Sequence, residues 1–266
     1  MGAAWAALLT RMPLVKSSLA VTSTQLGLIL IAGGVGSLIG LNLIGRMIAK
    51  RGTKVWITVF YPTAAVLIIL GGFAIEAGMP LAYAIVGFLL GCTFGLVDVP
   101  VNVDGTELEK LEGRNLMPRL HAGYSAGTLI GSGWGALAAS LNLGILPTIL
   151  PLAIVQVIVP FVLRKHLPDG VGIEVEVEHE SDAKPQHWFS FVLVFLGLGI
   201  LGITLAEGGA GDWMALGFKE GYGATEAQAG IGFSLFFAGM VLVRYFGGNI
   251  ADRIGKGRAL QLLAGI

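Results

Sequence analysis

Three acids, a histidine and an arginine stand inside runs of sequence that are otherwise apolar: Asp98, Glu207, Asp212, His121 and Arg244. An ionisable group in hydrocarbon costs about 2.5–3.5 kcal/mol, so each asks for a reason. Asp98 and Asn102 are four apart, hence on one face of a helix, with Gly91 and Gly95 continuing the stripe. Pro100 between them removes a backbone hydrogen bond and can leave carbonyls free for a ligand. The next apolar run brings His121 and Ser125 to a comparable depth. Carboxylate, amide and imidazole together could bind a polar molecule or relay a proton; the plainer alternative is a structural Asp98–His121 pair.

Further on, Glu207 is followed by Gly208, Gly209, Ala210 and Gly211, then Asp212 and Trp213. That many glycines predict an unwound or hinged segment. The two acids there could hold a cation, bind hydroxyls or take up protons, and Glu207 stands out as the coupling residue. Trp213 either stacks on a bound ring or anchors the membrane interface, the anchor being the expected role. Arg244 lies eight residues before Asp252, about 12 Å along a helix, so snorkelling to the near face is its expected role and solute binding the alternative. No nucleophile–base set, metal-ligand spacing or phosphate loop accompanies these residues, so an enzyme is not expected, nor a cofactor or metal.

The elements that must position them are set by composition. Hydrophobic residues make up 55% of the chain and charged ones only 13%, against the ~25% of an ordinary soluble domain. Too little polar material exists to cover a wetted surface. Apolar runs of about twenty residues point to helices rather than to the alternating strands of a barrel, giving an all-α polytopic membrane bundle. Net charge is zero, which offers nothing to a nucleic acid. The bilayer is the obligatory partner.

Seven full spans are predicted, near 25–46, 56–75, 81–103, 120–140, 144–163, 189–207 and 228–250. Two shorter apolar stretches, 2–9 and 259–266, are expected to be pieces of longer spans. With the turn 46–55 on the cytoplasmic side, only Arg11, Lys16 and Lys219 of the 17 Lys and Arg fall outside, while Arg244 lies within a span. That is the positive-inside distribution of a multi-pass protein in the cytoplasmic membrane. The segment 164–187 holds two prolines, two glycines and six acids and reads as a cytoplasmic linker.

The chain also repeats itself at an offset of 203 residues, without a gap. Thr22 to Gly27 returns as Thr225 to Gly230; Gly36 meets Gly239, Gly45 meets Gly248, Lys50 meets Arg253 and Gly52 meets Gly255. Separately, Gly123, Gly127, Gly131 and Gly135 recur every four positions, a spacing that lets helix backbones pack closely.

The turn Gly248 to Arg258, with Asp252, Arg253 and Gly255, resembles the loop between the second and third helices of each half in the major facilitator superfamily. Gly45 to Lys54, with Lys50 and Gly52, is similar, but Ala49 replaces the usual acid. Trp5 to Pro13, Asn102 with Glu109 and Arg114, His121 with its neighbours, and Glu207 to Trp213 look like the sugar- or fucose-permease-like branch. The resemblance implies two six-helix halves: an N-terminal half over 1–163 and the start of a C-terminal half over 188–266, the latter expected to be incomplete. It implies alternating-access transport of a small polar solute, such as a sugar, with a proton or cation as the coupling partner. The loop residues would then act in conformational latching, a role Ala49 puts in question for the first turn. Two other expectations share the fold: a non-transporting receptor or scaffold, and efflux of an amphipathic compound.

Overall fold

In a computed structural model of the chain, described over residues 1–113, 116–173, 191–255, 257–258 and 261–262, every regular element is helical. In order these are α1 (Gly2–Thr10), α2 (Met12–Ser18), α3 (Ser23–Glu76), α4 (Pro80–Glu112), α5 (Met117–Ser140), α6 (Ile145–Leu163), a single 3₁₀ turn at Arg164–His166, α7 (Phe191–Tyr222) and α8 (Glu226–Ile254). Among the described residues, five helices are long and apolar enough to cross a membrane. Over the described residues each of the seven predicted spans falls within a helix to within one residue, because α3 supplies two of them.

α3 is broken at Gly52, whose φ of 72° and ψ of 169° suit glycine alone. Trp56 donates from Nε1 to the Met47 carbonyl at 2.8 Å. Nine residues of unbroken helix would hold those groups about 13 Å apart, so the chain folds back here. The start of the predicted linker covers this turn. Thr53 N–H donates to the Val171 carbonyl at 3.0 Å, and Lys54 pairs with Asp169 at 2.9 Å. Thr53 also donates its hydroxyl to Asp104 of α4. Residues 174–187 of that linker lie outside the described residues, as does most of the stretch 259–266.

α3 and α4 meet backbone to backbone. A Cβ on Gly36 would strike the Phe88 carbonyl, one on Gly40 the Cys92 carbonyl, one on Gly91 the Gly33 carbonyl and one on Gly95 the Ser37 carbonyl. Gly91 and Gly95 therefore face α3 and do not extend a polar stripe from Asp98, as the sequence suggested. α1 is buried against α5 in the same manner, with Gly131 under the Ala3 carbonyl and Gly135 under Thr10 and the Ala7 carbonyl. Gly123 meets nothing, so the four-residue spacing serves packing at only part of its length.

The offset of 203 residues is built into the fold. Thr22 and Gln25 form a reciprocal N-cap on α3, and Thr225 and Gln228 form its counterpart on α8. Lys16 donates to Ser23 at 2.8 Å, and Lys219 to Glu226 at 2.7 Å. Gly27 packs on Trp213, while Gly230 packs on Thr10. Each residue in the second contact of a pair is the first shifted by the same offset. Gly255, matching Gly52, likewise has a positive φ, 89°.

Candidate functional site

Three helices from the two sides of the linker meet near the middle of the bundle. Arg244 of α8 donates from Nη2 to both carboxylate oxygens of Glu207 in α7, each at 3.0 Å. Its Nη1 donates to Ser125 Oγ of α5 at 2.6 Å. Ser125 is fully buried and donates its hydroxyl hydrogen bond to the His121 carbonyl at 3.1 Å. A hydroxyl from one group of helices and a carboxylate from the other thus hold one guanidinium. Arg244 does not snorkel. An arginine this far from the near face gains more from a carboxylate across a helix gap than from stretching its stem to water.

Around the pair, the phenol of Tyr124 lies within electrostatic reach of Tyr61, Asp98, Glu207 and Arg244. Asp98 is exposed, and its carboxylate makes no hydrogen bond or ion pair among the described residues. The structural Asp98–His121 pair is absent. Asn102 turns its amide back to the Asp98 carbonyl at 2.9 Å, and α4 runs through Pro100 without a break.

α7 is also continuous through Gly208–Gly211, where unwinding was expected. In a membrane a broken helix leaves backbone groups without partners, so a glycine run stays helical unless something else satisfies them. The unbroken helix sends Glu207 and Asp212 to different neighbours. Asp212 lies within electrostatic reach of buried Tyr83 on α4, and Trp213 lies against Gly27 of α3. Trp213 is therefore a packing contact across the bundle.

On the far side, opposite the turn at Gly52, ion pairs again join the two groups of helices. Lys16 pairs with Glu220. Arg11 approaches Glu226 at 3.6 Å, and Lys219 binds the same carboxylate at 2.7 Å. Burial presses the basicity of Arg11 down, and Glu226 partly restores it. All three basic residues that broke the charge asymmetry of the sequence are used here.

No protein-family model and no solved structure matches the chain. Two curated proteins do. An uncharacterised MFS-type transporter of Yersinia pestis is 29% identical over 260 residues, covering 97% of this chain and 64% of its own length. An uncharacterised transporter of Sinorhizobium fredii is 28% identical over 263 residues, covering 95% of this chain and 65% of its own length. Over nearly its whole length the chain is similar to these two transporters. It spans a little under two thirds of the length of these relatives.

Within this chain the turn residues divide. Gly52 and Gly255 hold the positive φ that the turns need. Gly45 faces open space, Lys50 and Arg253 are exposed, and the side chain of Asp252 lies outside the described residues, as does that of Gly248's neighbour Asn249. Tyr61 and Tyr124 went unnoticed in the sequence. Their signal was the adjacency of Tyr124 to Ser125 and of Tyr61 to Pro62 inside apolar runs.

Proposed function

We propose that the protein is a secondary transporter that moves a small polar solute across the cytoplasmic membrane by alternating access, coupled to protons. Residues 1–163 and 188–266 act as the two moving bodies, joined by the cytoplasmic linker 164–187. The observation that carries this reading is the Glu207–Arg244–Ser125 cluster, which places a titratable ion pair across those bodies at mid-depth.

Glu207 is the coupling carboxylate. A proton taken up by Glu207 turns the ion pair into a neutral acid beside a cation and frees Arg244 Nη2 to donate to a solute oxygen. Asp98, Asn102, Tyr61 and Tyr124 supply further polar contacts at the same depth. Loss of the proton restores the pair and expels the solute oxygen. His121 meets this cluster through its carbonyl, whereas Asp212 and Trp213 lie toward Tyr83 and Gly27. Sugars are the first solutes to try, on the strength of the branch resemblance.

The test is uptake by the full-length protein in proteoliposomes, with labelled monosaccharides and other small polar solutes, under an imposed pH gradient. Gradient-driven accumulation that Glu207→Gln abolishes, while solute exchange at equal pH survives, is the expected result. Flux indifferent to the gradient, or accumulation that survives Glu207→Gln, would overturn it.

A further inference from the structure

An apolar groove of about 370 Å³ runs between α5 and α8. Its α5 wall, Gly133, Ala136 and Leu137, lies on the opposite side of the helix from Gly131 and Gly135, which pack on α1. Its α8 wall includes Ile231, Ser234 and Ala238. The groove follows α5 for three turns, about 17 Å. Those dimensions suit one hydrocarbon chain.

At the far side the groove joins a second cavity, of about 500 Å³, through the shared residues Ser140 and Ala227. This cavity has more polar lining than the groove, with Arg11, Asn142, Thr225 and Glu226 set among Leu14, Ala139 and Leu143. Arg11 is only 3% exposed and donates from Nη2 to the Leu143 carbonyl at 2.7 Å. Its Nε and Nη1 are buried and have no partner among the described residues. Buried donors of this kind are nearly always satisfied, by protein or by something bound. Arg11 and Lys219 share the carboxylate of Glu226, and Glu76 of α3 accepts from the Leu146 N–H beside Gly144, another wall residue. An apolar slot that ends at a guanidinium with spare donors has the polarity profile of a lipid.

We propose that groove and cavity form one binding site for an anionic phospholipid of the outer leaflet, its acyl chain between α5 and α8 and its phosphodiester at Arg11. The lipid would occupy the joint between the two groups of helices. The site is separate from the Glu207–Arg244 cluster.

Native mass spectrometry of the full chain, extracted from vesicles with equal phosphatidylglycerol and phosphatidylcholine, tests this. One phosphatidylglycerol is expected to be retained, about tenfold over phosphatidylcholine. Arg11→Gln keeps a donor for the Leu143 carbonyl and leaves Glu226 to Lys219; it should equalise the two lipids. Gly133→Leu with Ala238→Leu should fill the groove and abolish retention of both. Glycerophosphoglycerol, the head group without chains, should not displace the lipid. Equal retention by the unaltered protein, a preference that survives Arg11→Gln, or displacement by glycerophosphoglycerol would each overturn the proposal.

Discussion

Arg244 and Glu207 are joined through a single nitrogen: Nη2 reaches both carboxylate oxygens at 3.0 Å, leaving Nη1 for Ser125. This is a shared donor rather than the parallel two-nitrogen fork, so the carboxylate can leave without disturbing the serine bond. The pair is partly exposed, at 29% and 41% for the two side chains, and solvent screening limits its worth. Removing one partner by Glu207→Ala should cost about 1–2 kcal/mol, because a half-buried guanidinium is left behind. Arg244→Ala should cost a similar amount, and the double variant less than the sum. Thermal melting of the four proteins in detergent measures the coupling; strict additivity would show that the two side chains do not interact.

The glycine seam gives a position-specific expectation. Gly91→Ala should destabilise by about 1–3 kcal/mol or more, since its methyl would run into the Gly33 carbonyl and backbone cannot rotate away. Gly87→Ala, one turn earlier in α4, meets nothing within 4 Å and should be neutral or mildly stabilising. Melting temperatures that fall equally for both would contradict the seam.

The far-side ion pairs should differ in value. Glu226→Gln strands the nearly buried Arg11 and also Lys219, and should lower stability by about 1–3 kcal/mol. Glu220→Gln releases only Lys16, whose partner carboxylate is 48% exposed, and should cost under about 1 kcal/mol. Unfolding in denaturant at low and high salt separates the two; a larger loss for Glu220→Gln would be the wrong order.

Glu109 provides a pH expectation. Its carboxylate accepts from the Leu116 and Met117 N–H groups at 2.8 and 2.9 Å, bonds that hold the start of α5 and keep the carboxyl below its ordinary value of 4.5. A depressed value means the tether is complete above the ordinary carboxylate range and is lost as pH falls through the lowered value. Hydrogen exchange at the Leu116 and Met117 amides should therefore speed up only in that acid window, and Glu109→Gln should flatten the dependence. Protection that fades instead near neutral pH would point to a different group.

Much of the bundle was legible because its rules are local. Apolar run length placed the spans, and the repeated stretches Thr22 to Gly27 and Thr225 to Gly230 fall at two helix starts. The contacts that share this offset, Gly27 on Trp213 and Gly230 on Thr10, are visible only in the fold. What sequence spacing could not reach was the choice of partner across helices. Arg244 is as far from Asp252 as a snorkelling arginine would be, and only the approach of α7 and α5 shows that Glu207 and Ser125 hold it. The glycine run after Glu207 misled for a related reason: flexibility in the chain does not break a helix where lipid offers its backbone no other partner. Asp98 and His121 share a depth but not a direction, and depth was all that counting residues could give.

The seam between α3 and α4 also governs where the molecule can yield. Side-chain interfaces adjust by switching rotamers, but carbonyls laid against bare glycine Cα atoms have no such slack. The first arm of α3 and the facing stretch of α4 should travel as one plank. Any tilt of the bundle must then be absorbed at joints made of long, replaceable side chains, where Lys16 meets Glu220 and Arg244 meets Glu207. Stiffness is written in the glycines and compliance in the charges.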